Sequence, residues 1–163
     1  MMSTNPFWDF SLRHYAKTIV QEQCLQLQNE ADANVNVVLF TLWLAVEQRL
    51  FSHDLVVHNT ELLCWHEQVV VPLRQARCGV KQSNLSDALY ATVKSAELNA
   101  ERVEQDILYA LLAQFAEASA ELSLQQLAQS NLAAYLQMLS LDDGVVAQYL
   151  EALVGEVFGG ING

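Results

Sequence analysis

Two arginines and a lysine recur at helical spacing in CWHEQVVVPLRQARCGVK, residues 64–81. Arg74, Arg77 and Lys81 stand at i, i+3 and i+7, so a helix would carry them on one face. Glu67 and His66, seven and eight residues before Arg74, extend the same stripe. Trp65, Val69 and Leu73 form an apolar stripe beside it. Pro72 has no N–H, so the carbonyl of Gln68 loses its helical partner. A freed acceptor, paired guanidiniums and a flat indole suit a small anion such as a carboxylate or phosphate. The candidate ligand-binding residues are therefore Trp65, His66, Glu67, Arg74 and Arg77. If a reaction is catalysed, His66 or Glu67 would be its general base. A structural role competes with this and is favoured. Arginines in a last helical turn complement the helix dipole, and this chain has surplus carboxylates to pair with them.

Glu97, Glu101 and Glu104 form an acidic stripe at i, i+4 and i+7. They could bind a cation or pair with the basic stripe, but the expectation is a solvated face. If two long helices turn near residue 84, Arg74 lies opposite residue 94 and Arg77 opposite 91. Only an Arg74–Glu97 pair would then be in reach. The histidines are His14, His53, His58 and His66, with no HExxH or HxxxH spacing. His53, Asp54 and His58 are expected in a loop, and no metal site is predicted. His14, among aromatics, reads as a hydrogen-bonded core histidine. The chain contains no phosphate-binding glycine loop and no nucleophile elbow, so no cofactor is predicted.

Positioning these side chains falls to a chain of 163 residues, the size of one domain. A domain of that length buries roughly 70% of its extended surface and folds without staples. The composition is 52% hydrophobic with only 2 prolines and 6 glycines, which suits helices. Cys24, Cys64 and Cys78 are an odd number with no CxxC pair. Cys64 and Cys78 share one predicted helix about 21 Å apart, too far to bridge. A reduced, cytoplasmic setting is expected. The N-terminus shows no signal-peptide pattern. The most apolar run, Val35 to Val46, is too short for a bilayer. The net charge of -11 is uneven. Residues 1–94 carry 7 Lys or Arg against 9 acids, whereas residues 95–163 carry Arg102 against 10. Such a field repels phosphate backbones, so no nucleic-acid partner is expected.

Asn5-Pro6 reads as a cap and first turn of a helix that breaks near Lys17-Thr18. Asn34 or Asn36 caps the next apolar run. Residues 37–51 are apolar on every side until Glu47, which predicts a buried central helix. Thr60 and Glu61 open the helix of the quoted stretch, and Gly79 is expected to end it. That helix should run through Pro72 with a kink, because its apolar positions stay in phase across the proline. Asn84 or Ser86 opens an amphipathic helix of about 30 residues, roughly 45 Å long. Its apolar stripe is Leu89, Val93, Ala96, Ala100, Val103, Ile107, Leu111 and Phe115. Ser123 opens another helix, and Asp142 caps a last one. Residues 158–163 read as a flexible tail.

FWDFSLRHY, CLQLQ, NVNVVLFTLWLA and WHEQVVVPLRQAR resemble a bacterial family of conserved hypothetical proteins, a domain of unknown function. The resemblance spans roughly residues 7 to 115. It implies a helical fold and carries no established activity. More basic residues are expected after PLRxxR in such sequences, and here Cys78-Gly79 interrupts them. The fold class predicted is all-α: one domain over residues 1–163, a bundle of about six to eight helices around the 37–51 helix. The function expected is a non-catalytic cytoplasmic binding or regulatory module. The alternative is a small-anion binder or enzyme built on the five residues above. A protein partner or a homodimer would be compatible with the former, and no membrane contact is expected.

Overall fold

The computed structural model describes residues 5–159. The helices run α1 Pro6–Tyr15, α2 Thr18–Ala31, α3 Val35–Val46, α4 His53–Val57, α5 Thr60–Trp65, α6 Val71–Ser83, α7 Asp87–Ala110, α8 Leu124–Leu136 and α9 Asp143–Phe158. A π-helical turn, His66–Val70, joins α5 to α6 without a break, so these segments form eight continuous helices among the described residues. The fold is all-α. No helix among the described residues is long and apolar enough to cross a membrane. The expected tail lies outside the described residues from position 160, and Phe158 still belongs to α9.

The capping asparagines set where helices begin. The Asn5 side chain accepts from the N–H groups of Phe7 and Trp8, with Pro6 at the first helical position. Asn34 does the same for Asn36 and Val37 at the start of α3. Ser123 and Gln126 form a reciprocal capping box on α8. Asp142 occupies the N-cap of α9, but its side chain makes no cap hydrogen bond. It contributes there as a negative charge near the helix dipole.

α3 is the centre. Every residue from Asn36 to Ala45 is buried, and the helix packs against α1, α2, α7 and α8. Trp43 is 3% exposed and stacks on Phe7 at 5.4 Å between ring centroids. Phe40 meets Phe7 at 5.3 Å and Phe115 at 5.4 Å, both edge-on. The predicted end at 51 is corrected to Val46. Gln48 turns left-handed at φ 58°, and Arg49 then forms an antiparallel bridge with Glu117. Leu50 N–H donates to Ala116 at 2.8 Å and Ala118 N–H to Gln48 at 2.9 Å. Buried Asn131 of α8 fixes this corner. It accepts from Phe51 N–H and donates to the carbonyls of Arg49 and Thr41. The extended exit lets Phe51 stack on Phe115, which a continued helix would not allow.

The helix of the quoted stretch crosses Pro72 without a break, but a π-helical turn shifts the phase that the sequence pattern had assumed to be kept. Val71 keeps helical angles, φ -62° and ψ -47°, despite the bias that a following proline imposes. The distortion is taken up one turn earlier. Val71 N–H bonds to the His66 carbonyl, five residues back, which widens the turn beneath the proline ring. Gly79 does not end this helix. α6 continues to Ser83 and stops at Asn84, which adopts the left-handed C-cap at φ 54°. A glycine inside a helix costs only about 1 kcal/mol, which does not by itself end one. His53 and Asp54 lie in the short helix α4, not in a loop, and His58 caps its end. α7 stops at Ala110, short of the predicted length, where a 3-10 turn over Leu112–Gln114 carries Phe115 into the core.

Replacing Trp43 with Ala should lower stability by about 3–5 kcal/mol in urea unfolding, the range for deleting a large buried aromatic. An unchanged midpoint would remove α3 from the centre of the fold.

Candidate functional site

α6 and α7 form an antiparallel hairpin that covers one side of α1 and α3. Helical Cα–Cβ bonds tilt toward the N-terminus. Side chains on α6 therefore lean away from the hairpin tip, and those on α7 lean toward it. That offset brings both arginines to Glu97. Arg77 Nε donates to Glu97 Oε1, and Arg74 Nε lies 3.7 Å from Oε2. The expectation that only Arg74 could reach Glu97 ignored this lean. The hydrogen bond to Glu97 pushes the Arg77 pKa up.

The acidic stripe is not a solvated face. Glu97 and Glu104 are both buried, Glu104 completely, and Glu101 is half-buried. Each buried carboxylate is satisfied. Asn36 Nδ2 donates to Glu104 Oε1 at 2.7 Å, and His66 Nδ1 lies 2.8 Å from Oε2. Asn34 Nδ2 stands 3.2 Å from the same His66 nitrogen. Gln105 Nε2 donates to Asn36 Oδ1 and to Ser11 Oγ, both at 2.9 Å. The network thereby joins α1, the start of α3, the π-helical turn and α7.

Beside the network lies a cavity of about 170 Å³ between α1, α2, α3, α6 and α7. Its polar wall includes Arg74, Arg77, Glu97, Glu101, Glu104 and Gln105. Its apolar wall includes Leu12, Leu25, Val35 and Leu39. Tyr15, also in the wall, has its pKa pushed up to about 12 by burial, so the phenol keeps its proton. Glu101 rises to about 7, chiefly through burial and then through the Glu97 charge, with Arg74 opposing. Among the described residues its carboxylate has no hydrogen bond and no ion pair. Gln105 is 1% exposed, and its Oε1 is buried without a partner.

The five residues singled out by sequence do not share one pocket. Arg74 and Arg77 line the cavity. His66 and Glu67 face a separate cleft with Leu62 and Tyr135. Trp65 lines neither, and its Nε1 donates to the Ala100 carbonyl at 2.8 Å. Sequence reasoning missed Gln105, took Asn36 only as a possible cap, and placed Glu101 and Glu104 on a solvated stripe. Glu97, Ala100, Glu104 and Leu108 step by three and four along the buried face of α7. Of the predicted stripe, Ala100, Leu111 and Phe115 are buried, whereas Leu89 and Val103 are exposed. His14 is buried as expected, packed 4.4 Å from Phe10, but its Nδ1 has no hydrogen-bond partner. Burial, then Lys17 and Arg13, lowers its pKa to about 4.

Two measurements check this geometry. Arg74→Ala with Arg77→Ala should cost about 3 kcal/mol, because Glu97 is left buried and unpaired. Adding Glu97→Leu should recover most of that loss. The second concerns Glu101. Its folded pKa of about 7 exceeds the ordinary glutamate value of 4.5, so the unfolded chain ionises it first. Stability from this group falls as pH rises from 4.5 to 7. Relative to the native chain, Glu101→Gln should therefore gain on the order of 2 kcal/mol across that interval and nothing further above it. A difference independent of pH would contradict the burial of this carboxyl.

No curated protein and no solved structure matches the chain. A family model does match, over residues 6–108, a span that includes every residue lining the cavity. The chain belongs to the family described as Protein of unknown function (DUF2390).

Proposed function

We propose that this protein is a non-catalytic helical binding module whose small-molecule site is the cavity under the α6–α7 hairpin. One observation carries the reading. Buried Glu97, Glu104 and Gln105, with half-buried Glu101, are gathered on the wall of a single cavity. Buried charges are often replaceable by apolar residues at no loss of stability. Their concentration around one space therefore points to recognition more than to folding. The small-anion alternative draws less support, because Arg74 and Arg77 already share Glu97. A cytoplasmic setting agrees with three free cysteines, two of them exposed. A protein partner or second copy is compatible with Leu85 and Leu89, exposed where the hairpin turns.

The test is a thermal-shift screen with small cationic, neutral and anionic compounds. It is run on the native protein and on variants that block the rim, Leu12→Trp and Leu25→Trp, both partly exposed positions. A ligand at a hundred times its Kd should stabilise the native protein by about 2.7 kcal/mol and leave the blocked variants unmoved. No response, or a response equal in all three proteins, rejects the cavity as the site.

A further inference from the structure

We infer that the cavity takes a small aliphatic amino acid as a zwitterion, its carboxylate held by the guanidiniums of Arg74 and Arg77 and its ammonium group by the carboxylate of Glu101. The inference rests on the cavity being the binding site and adds the chemistry of its occupant.

The wall offers charge of both signs, and each sign has hydrogen-bonding capacity to spare. A guanidinium carries five N–H donors. Arg77 gives its Nε–H to Glu97 and is approached by Tyr90. Arg74 Nε lies 3.7 Å from Glu97, and this side chain makes no hydrogen bond among the described residues. Every N–H of Arg74 and most of those of Arg77 are thus left, and both residues line the cavity. Glu104 has a partner on each oxygen, Asn36 and His66. Half-buried Glu101 lines the same cavity with neither a hydrogen bond nor an ion pair. Free donors on α6 therefore face a free acceptor on α7.

That pairing disfavours a ligand of a single sign. A simple anion on the arginines would stand beside the carboxylates of Glu97, Glu101 and Glu104. A simple cation on Glu101 would stand beside two guanidiniums, whose charges already act on that carboxyl. A zwitterion presents the opposite charge to each. Spacing sets how far apart its ends are. Glu97 holds both arginines, and Glu101 follows it at i+4 on α7, so the two Cβ atoms are about 5–6 Å apart. A charge-assisted hydrogen bond of about 2.8 Å at either end leaves room for an ammonium and a carboxylate carried on one carbon. A planar carboxylate also suits the fork of donors that a guanidinium presents.

Size and the apolar wall narrow the ligand further. The volume of about 170 Å³ is close to the ~150 Å³ engineered cavity that one benzene ring occupies. An aromatic ring and a zwitterionic head together would exceed it, so the body is a short aliphatic chain. Leu12, Leu25, Val35 and Leu39 supply its apolar surface.

Binding of the ammonium end competes with a proton on Glu101. The groups around that carboxyl are Glu97 and Glu104 on its own helix, Arg74 and Arg77 on α6, Tyr15 on α1 and His66 at the π-helical turn. With a pKa of about 7 in the free protein, Glu101 is largely ionised at pH 8 and largely protonated at pH 6. The apparent Kd for the amino acid should rise about tenfold from the higher pH to the lower.

The experiment uses the full chain and three matched probes. They are L-leucine, isopentylamine, which is leucine without its carboxylate, and 4-methylpentanoate, which is leucine without its amino group. Melting is followed against probe concentration at pH 6 and pH 8 for the native protein, Glu101→Gln, Arg74→Gln and the rim-blocked Leu12→Trp. Leucine should raise the native Tm by about 5–11 °C at a hundredfold excess over Kd. At pH 8 it should bind at least about tenfold more tightly than either truncated probe. Glu101→Gln should weaken leucine by at least about tenfold, abolish its pH dependence and leave 4-methylpentanoate bound no less tightly. Arg74→Gln keeps the Arg77–Glu97 bond; it should weaken leucine and leave isopentylamine bound no less tightly. A truncated probe that equals leucine would overturn the zwitterion and leave the cavity reading standing. So would a leucine response that survives both Glu101→Gln and Arg74→Gln. A leucine response unchanged in Leu12→Trp would reject both readings. Silence from all three probes on the native protein would reject the zwitterion, and the wider screen with the two rim-blocked variants then decides the cavity.

Discussion

The carboxylate of Glu104 is the constraint on which the rest of the site depends. A fully buried charge is tolerated only when its lone pairs are satisfied. Here the partners come from far apart in the chain: Asn36 at the first turn of α3 and His66 at the π-helical turn. Three elements are thus held in one relative position by one side chain. Asn34 closes the arrangement, since its Oδ1 caps α3 while its Nδ2 faces His66. The start of the central helix and the floor of the site are the same few atoms.

The π-helical turn is the local cost of meeting that constraint beside a proline. A regular helix through Pro72 would press the ring against the carbonyl of Gln68. Widening the preceding turn relieves the clash and also shifts the phase between the two halves. Leu62, before the turn, is buried against the core. Arg74 and Arg77, after it, face the cavity. α6 itself buries no residue completely, so its packing against α7 and the shared Glu97 must hold it in place. Glu97 thus anchors the outer half of the hairpin as Glu104 anchors the inner half.

Much of the fold was legible because its signals are local. The caps at Asn5, Asn34, Ser86 and Ser123 depend on side chains within three residues of the helix start. The burial of α3 follows from a run with no polar face. What failed depended on distant partners. The end of α3 is set by Glu117 and Asn131, more than sixty residues away. The acidic stripe was read as solvated because no sequence signal shows that Asn36 and His66 arrive to satisfy it. The same error put Val103, which is exposed, on the buried face in place of Glu104, although Ala100, Leu111 and Phe115 are buried as expected. Both arginines meet Glu97, and which acid they reach turned on side-chain direction and not on helix register.

The cavity explains why this part of the molecule departs from apolar packing. A core built for stability alone would fill the space between α1, α3 and α7 with leucines, as it does around α3 and α8. Instead the chain places carboxylates there in a graded order of satisfaction. Glu97 is neutralised by two guanidiniums, Glu104 is hydrogen-bonded on both oxygens, and Glu101 has neither. The first two fix the walls, because disturbing either strands a buried charge. The third is free to respond, and its pKa near 7 makes its charge the adjustable quantity of the site. Satisfied and unsatisfied carboxylates therefore alternate along a single helix, between residues one turn apart.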